Sequence, residues 1–525
     1  MSLRRTLGSL AATLADRRRA GPPAGDPPAV DPPVADLPAG EQRARATATP
    51  AAGQQGDTLA TLLCKAPWAA LYLDPRGEVK VCCQNEWLRL GNVAERSLTE
   101  IWRGPELTRL RERVAEGDLS LGCEMCQAAV DRGAADTAYF NSFAHLPLED
   151  VDHGWPLQLD LALSNSCNLQ CVMCNGELSS AIRVHREGRP ALTSPYDDRF
   201  FEELDHFLPH LRAITFLGGE PFLARESTRV MSRLVELGLT PHCSVTTNGT
   251  QWNARIERFV ERLPMHVAIS VDAVTASTLE RIRVGVDAAA LFENIERFRA
   301  ATSRSGGTLG FSTCLMVPNW HEFGELLEWA DRLDVDVFVN TVHHPPHLSF
   351  AHCDFDQLGE VVEAMRAEDG WRRERLGRNR SVWEDQLASL EGLHRQRAGE
   401  HSGGPAQATP VAIAPRRPSG GVAVLRADER QLVREVDVGG AAAYGVELEA
   451  LLGSSLWESV RLISRSLGQL ETSQVRRTEE GVEERELVFR GPSGPVRVRA
   501  TMELGAAAEP TWFLAFEPVS DDPAA

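Results

Sequence analysis

The stretch "LQLDLALSNSCNLQCVMCNGE", residues 157–177, passes from strict alternation into three close cysteines. Apolar and polar residues alternate over 157–163, which is the period of a half-buried strand. The cysteines that follow, Cys167, Cys171 and Cys174, are spaced C-x3-C-x2-C. Thiols so close together at the end of a strand suit metal ligation. A closed structural site takes four ligands, so three on one loop leave a coordination position open. A structural zinc site would need a fourth donor, and His185 is available.

Working outward, further apolar runs lie at 213–217, 242–247, 266–271, 309–317 and 335–342. Helical periodicity fills the gaps at 200–208, 225–237, 253–262, 289–300 and 322–332. Strand and helix alternate six times, which predicts an α/β fold with a parallel sheet and crossover helices. Six units fall short of an eight-fold barrel, so the expectation is a partial (β/α)6 barrel or an open sheet. The polar motifs gather at the carboxyl ends of the strands, where such folds place their chemistry. The cysteines follow the first strand, "GGEP" (218–221) the second and "TNG" (247–249) the third, while "SVDA" (270–273) ends the fourth.

The rest of the 525-residue chain divides by composition. Residues 1–57 are a Pro/Ala-rich tail expected to be disordered. Its Arg-rich start imitates a transit peptide but has no continuous apolar region. Residues 58–150 form a Cys-rich module, 151–350 the α/β core, 351–396 a helical extension, 397–420 a linker and 421–519 a last domain. A net charge of -19 argues against a nucleic-acid surface, and no apolar run is long enough for a membrane span. The two lysines are Lys65 and Lys80, so the core offers no lysine for a Schiff base. Of eleven cysteines, eight lie between Cys64 and Cys174. That clustering points to metal ligation in a reducing compartment, hence a cytoplasmic protein. Cys243, Cys314 and Cys353 are expected to be small buried hydrophobes. His343 and His344, between prolines and the last strand, are expected to be solvated.

With these motifs in place, residues 157–345 resemble the radical S-adenosylmethionine (radical SAM) family. The resemblance implies that Cys167, Cys171 and Cys174 hold a [4Fe-4S] cluster whose fourth iron chelates S-adenosylmethionine. It implies reductive cleavage of that cofactor to a 5′-deoxyadenosyl radical, with electrons from a donor such as flavodoxin or ferredoxin. Gly218, Gly219 and Glu220 match the segment that meets the cofactor's amino group. Asn248, Ser270 and Asp272 stand where the family contacts ribose and carboxylate. Arg283, or Arg281 in its place, would pair the cofactor carboxylate, and Val317 would pack near adenine. Met173 departs from the commoner aromatic before the last cysteine.

The Cys-rich module reads as a hairpin turning at Pro75–Gly77, a helical stretch at 97–115 and the C-x2-C of Cys123 and Cys126. Cys64 and Cys82 complete four thiolates, with Cys83 competing with Cys82. Zinc would suit such a set. The module is similar to the SPASM/twitch modules of radical SAM enzymes, through the glycine five places before Cys82, the "GN" at 91–92 and the "LTEIW" helix. That resemblance implies one auxiliary [4Fe-4S] cluster. Relatives with such modules often modify ribosomally made peptides, and others oxidise alcohols. The last domain resembles a PAS domain. The expected function is a radical SAM enzyme acting on a peptide or small metabolite. The alternative is a non-catalytic iron–sulfur redox sensor signalling through the PAS-like domain.

Overall fold

The computed structural model describes residues 62–85, 87–147, 154–342 and 345–402, together with six strands between 423 and 518. The Pro/Ala-rich tail, His343, His344 and most of the linker lie outside the described residues.

The first strands are β1 (Ala70–Leu73), β2 (Glu78–Lys80) and β3 (Gly91–Asn92). β1 and β2 form the expected hairpin, with Tyr72 opposite Lys80 and Leu73 opposite Val79. Gly77 takes φ of +80° in its turn, a conformation only glycine adopts freely. Asp74 completes the turn by accepting from the backbone N–H groups of Arg76 and Glu78. The helical stretch expected at 97–115 is two helices, Leu98–Trp102 and Pro105–Ala115. Gly104 breaks it, and Pro105 starts the second helix at the position where a missing N–H costs nothing.

The six expected core strands are β4 (Gln158–Leu161), β5 (Ala213–Phe216), β6 (His242–Thr247), β7 (Met265–Ser270), β8 (Thr308–Leu315) and β9 (Asp336–Thr341). They pair in sequence order and all in parallel. Helices fill the crossovers, among them Arg225–Leu237 and Trp320–Leu333, as the apolar periodicity requires. Sequential right-handed crossovers put the helices on one face, as in a partial barrel, and leave the other face inward. The helix-facing residues Leu159, Leu161, Ile214, Phe216, Val245, Val267, Ile269 and Phe311 are fully or almost fully buried.

The Cys-rich module is not a separate body beside this sheet. β1 pairs in parallel with β4, Tyr72 standing opposite Asp160, so one sheet runs β3-β2-β1-β4-β5-β6-β7-β8-β9. Past β9, helices Phe355–Arg375 and Arg380–Ser402 form the extension. The C-terminal strands, β10 (Ala423–Ala427), β11 (Val433–Val436), β12 (Gln469–Arg477), β13 (Glu483–Gly491), β14 (Gly494–Leu504) and β15 (Trp512–Pro518), form one antiparallel sheet in the order β11-β10-β15-β14-β13-β12. Among the described residues no helix is long and apolar enough to cross a membrane.

Candidate iron–sulfur and cofactor site

The cysteine loop leaves β4 and is held by backbone bonds to its surroundings. Gln170 N–H donates to Val284 O and Val172 N–H to Ile282 O, which ties the loop to the segment after β7. Arg186 donates to the carbonyls of Cys171 and Cys174. Cys167, Cys171 and Cys174 come close enough for their charges to interact. Burial raises all three thiols, Cys174 to about 12, with the charges of Cys171 and Cys167 adding to its rise. N–H groups oppose this: Leu169 N–H and Asn248 Nδ2 point at the Cys167 sulfur, the latter at 3.8 Å. Arg283 Nη1 lies 3.9 Å from the Cys171 sulfur.

The glycine turn after β5 packs onto this loop. Gly219 N–H donates to Ser164 O at 2.9 Å and Glu220 N–H to Ser166 O at 2.7 Å. Gly218 has φ of +103°, and a Cβ there would sit 2.6 Å from Ser164 O. A Cβ at Gly219 would collide with Ser166 O, next to Cys167. The glycines are therefore required by the approach of backbone to backbone. Glu220 is fully buried, and burial lifts its carboxyl to about 7. Its oxygens accept from Phe222 N–H, Thr247 Oγ1 and Asn248 N–H. The carboxylate thus ties the end of β5 to the end of β6.

The remaining expected cofactor contacts lie along the same rim. Asn248 follows β6 and bonds Asn168 of the cysteine loop at 3.0 Å. Asp272, just past β7, pairs with Arg283 at 2.8 Å and accepts from Cys314 N–H. Burial works against the Arg283 charge, but the Asp272 carboxylate holds its pKa above the usual value. Arg281 is exposed instead, its guanidinium on Thr278. Ser270 stands beside Ser312 on the inner face, and Val317 bonds Leu348 O through its N–H. Cys314 departs from expectation: it is half-buried on the inner face, close to Arg283 and Cys171, because its position in β8 alternates away from the buried Phe311 and Leu315.

In the module, Cys64, Cys82, Cys123 and Cys126 line one cavity with Val81, Asn85, Tyr139 and Phe143. Each sulfur receives an N–H: from Ala66 on Cys64, Gln84 on Cys82, Asn85 Nδ2 on Cys123 at 3.4 Å, and Tyr139 and Phe140 on Cys126. Burial nevertheless raises all four thiols, Cys64 to about 12. Cys83 turns elsewhere, to the hydroxyl of Tyr139 and toward Asp160. Among the described residues no three His, Cys, Asp or Glu side chains converge closely enough for a single ion. A four-iron cluster takes each thiolate on a different iron, and N–H donors at sulfur are the surroundings such ligands use. The donor sets at both places fit that group.

Residues 161–330 match the model of the radical SAM superfamily. The chain carries a radical SAM domain. Residues 64–127 match the iron-sulfur cluster-binding SPASM domain. The radical SAM domain implies a [4Fe-4S] cluster and S-adenosylmethionine, and the SPASM domain implies auxiliary iron–sulfur clusters. No curated protein matches in sequence. Among solved structures, Streptococcus suis SuiB bound to precursor peptide SuiA is similar over 52% of this chain and 61% of its own, at 14% identity and a TM-score of 0.31. Native anSMEcpe with bound AdoMet and Cp18Cys peptide is similar over 42% of this chain and 62% of its own, at 17% identity and a TM-score of 0.29. The chain thus spans about three fifths of the length of these two. The PAS domain of an HTR-like protein from Haloarcula marismortui covers 19% of this chain and 86% of its own, at 15% identity and a TM-score of 0.13.

Two features of the site escape sequence reading. Glu177, just past the cysteines, receives Arg76 of the β1–β2 turn together with Arg183 and Arg189, so an ion cluster latches the SPASM hairpin to the cysteine loop. Asp160, inside "LQLDLAL", is the other; the only signal for it is a charge in a strand of apolar neighbours.

Proposed function

We propose that this protein is a radical SAM enzyme that reductively cleaves S-adenosylmethionine and modifies a peptide or a small metabolite, with one auxiliary [4Fe-4S] cluster in the SPASM domain. The single observation that carries the reading is the packing of the Gly218–Gly219 backbone onto the loop of Cys167, Cys171 and Cys174. It puts three thiols and a glycine-lined approach at one rim of a parallel sheet. Bound there, the cluster and cofactor would supply one-electron cleavage of a carbon–sulfur bond. The chain's own part is to hold the thiolates, to orient them through Asn248 and Arg283, and to line the approach with backbone. A peptide substrate is favoured by the SPASM match, since modules of that kind often accompany peptide modification. The four module thiols leave no iron open for substrate, so their cluster serves electron transfer or shape. We place the protein in the cytoplasm, with a flavodoxin- or ferredoxin-type donor, and assign the C-terminal sheet to a PAS-like contact or sensing domain.

The test is anaerobic reconstitution, reduction with dithionite and measurement of 5′-deoxyadenosine. The wild type should form it; the variant Cys167→Ala/Cys171→Ala/Cys174→Ala should form none and lose about four irons. Retained cleavage by that variant overturns the assignment. Loaded wild-type protein that never cleaves the cofactor would favour the redox-sensor reading.

A further inference from the structure

On the inner face of the sheet one register row is polar from end to end. Tyr72, Asp160, Thr215, Ser244, His266 and Thr308 stand side by side on six adjacent strands. Nearer the rim follow Thr246, and then Ser270 beside Ser312, on the same face. Interior positions of a small barrel are filled with apolar side chains where the barrel only needs a core, so a hydroxyl-lined face is built for a polar occupant.

Asp160 is the carboxylate of that row, and it is 5% exposed. Its partners are neutral: Gln158 Nε2 donates to it at 3.0 Å, and Thr215 donates through its hydroxyl. Other buried carboxylates are better provided. Asp272 and Glu328 each hold a guanidinium, while Glu220 and Glu322 each accept from three donors. On the module side, the hydrogen-bonded pair of Cys83 and Tyr139 stands close enough for Asp160 to influence both. Neither brings a positive charge, and Lys80, opposite Tyr72 on β2, acts on Cys83 rather than on Asp160. An asparagine would satisfy Gln158 and Thr215 without the cost of burying a charge. The charge is therefore provided for a group that arrives from outside.

We propose that Asp160 docks a cationic nitrogen of the substrate, an ammonium or guanidinium reaching down the hydroxyl-lined inner face. This rests on the reading of that face as the substrate side of a radical SAM enzyme, and it narrows the substrate to one bearing such a group. Thr215 and Gln158 hold the carboxylate in place, and the auxiliary module closes over it through Cys83 and Tyr139.

The experiment uses the full-length, cluster-loaded protein and n-butylammonium chloride as probe, with 1-butanol as the neutral control, by calorimetry. Wild type should bind the ammonium, and Asp160→Asn should weaken that binding roughly tenfold or more, with iron content and circular dichroism unchanged. The response to 1-butanol should be the same in both. Asp160→Ser offers the same comparison should the Asn variant not fold. Equal ammonium affinity in wild type and variant, or none in wild type, overturns the proposal. The probe needs no radical chemistry: absent ammonium binding alongside intact cofactor cleavage sinks this inference alone, and the reverse sinks the radical reading alone.

Discussion

Single side chains decide how the two cysteine sites are built. Cys82 and Cys83 are neighbours and compete in the sequence, where the spacing from Gly77 favours Cys82. In the folded chain Cys82 is in the cavity with Cys64, Cys123 and Cys126, while Cys83 faces Tyr139. Cys82→Ser should therefore lose about four irons and Cys83→Ser none, by iron assay and electron paramagnetic resonance; equal losses would refute the division. Glu220 shows the opposite limit. Its place in "GGEP" was legible, but its partners Thr247 and Asn248 are 27 and 28 residues away and left no local mark. Both carboxylate oxygens accept, so the amide of Glu220→Gln must turn an NH2 toward another donor. Leaving a buried donor unmet costs about 1–3 kcal/mol. The urea midpoint should fall accordingly and cofactor affinity with it; an unchanged midpoint would mean the carboxylate does not brace the rim.

At the level of strands and turns, the core was readable because its periodicity is local. β6 runs over the stretch expected, and helix Arg225–Leu237 matches its apolar pattern end to end. The β1–β4 ladder was not readable, because parallel partners far apart in sequence share no turn signal. The glycine turn after β5 bears a sharper expectation. Since a Cβ at Gly219 would meet Ser166 O, Gly219→Ala should displace the loop of Cys167. Iron should drop by about four per chain while the SPASM site stays filled; full iron at both sites would show that the loop tolerates the shift. The latch of Glu177 should also be measurable. Glu177→Gln leaves Arg76, Arg183 and Arg189 without their shared carboxylate. Stability in urea should fall by about 1–3 kcal/mol, and adding Arg76→Met should recover part of it.

Over the whole molecule, the nine-stranded sheet and the two helices after it form a core that reaches Ser402. A chain ending there should keep both iron sites and cleave the cofactor, checked by iron content and 5′-deoxyadenosine; loss of folding would make the C-terminal sheet part of the core. The division of the chain into tail, module, core and last domain came from composition, which reports solvation well and pairing badly. Composition sets the module apart from the core, and carries no trace of the β1–β4 pairing that joins them in one sheet. That fusion also bears on the order in which the protein is made. Every residue lining the auxiliary cavity, from Cys64 to Phe143, is translated before β4 begins. During synthesis β1 waits at an open edge for a partner about ninety residues downstream, a closure that local contacts precede. The auxiliary thiols are thus made before those of the Cys167 loop, and the edge of β1 is completed by the strand that leads directly into that loop.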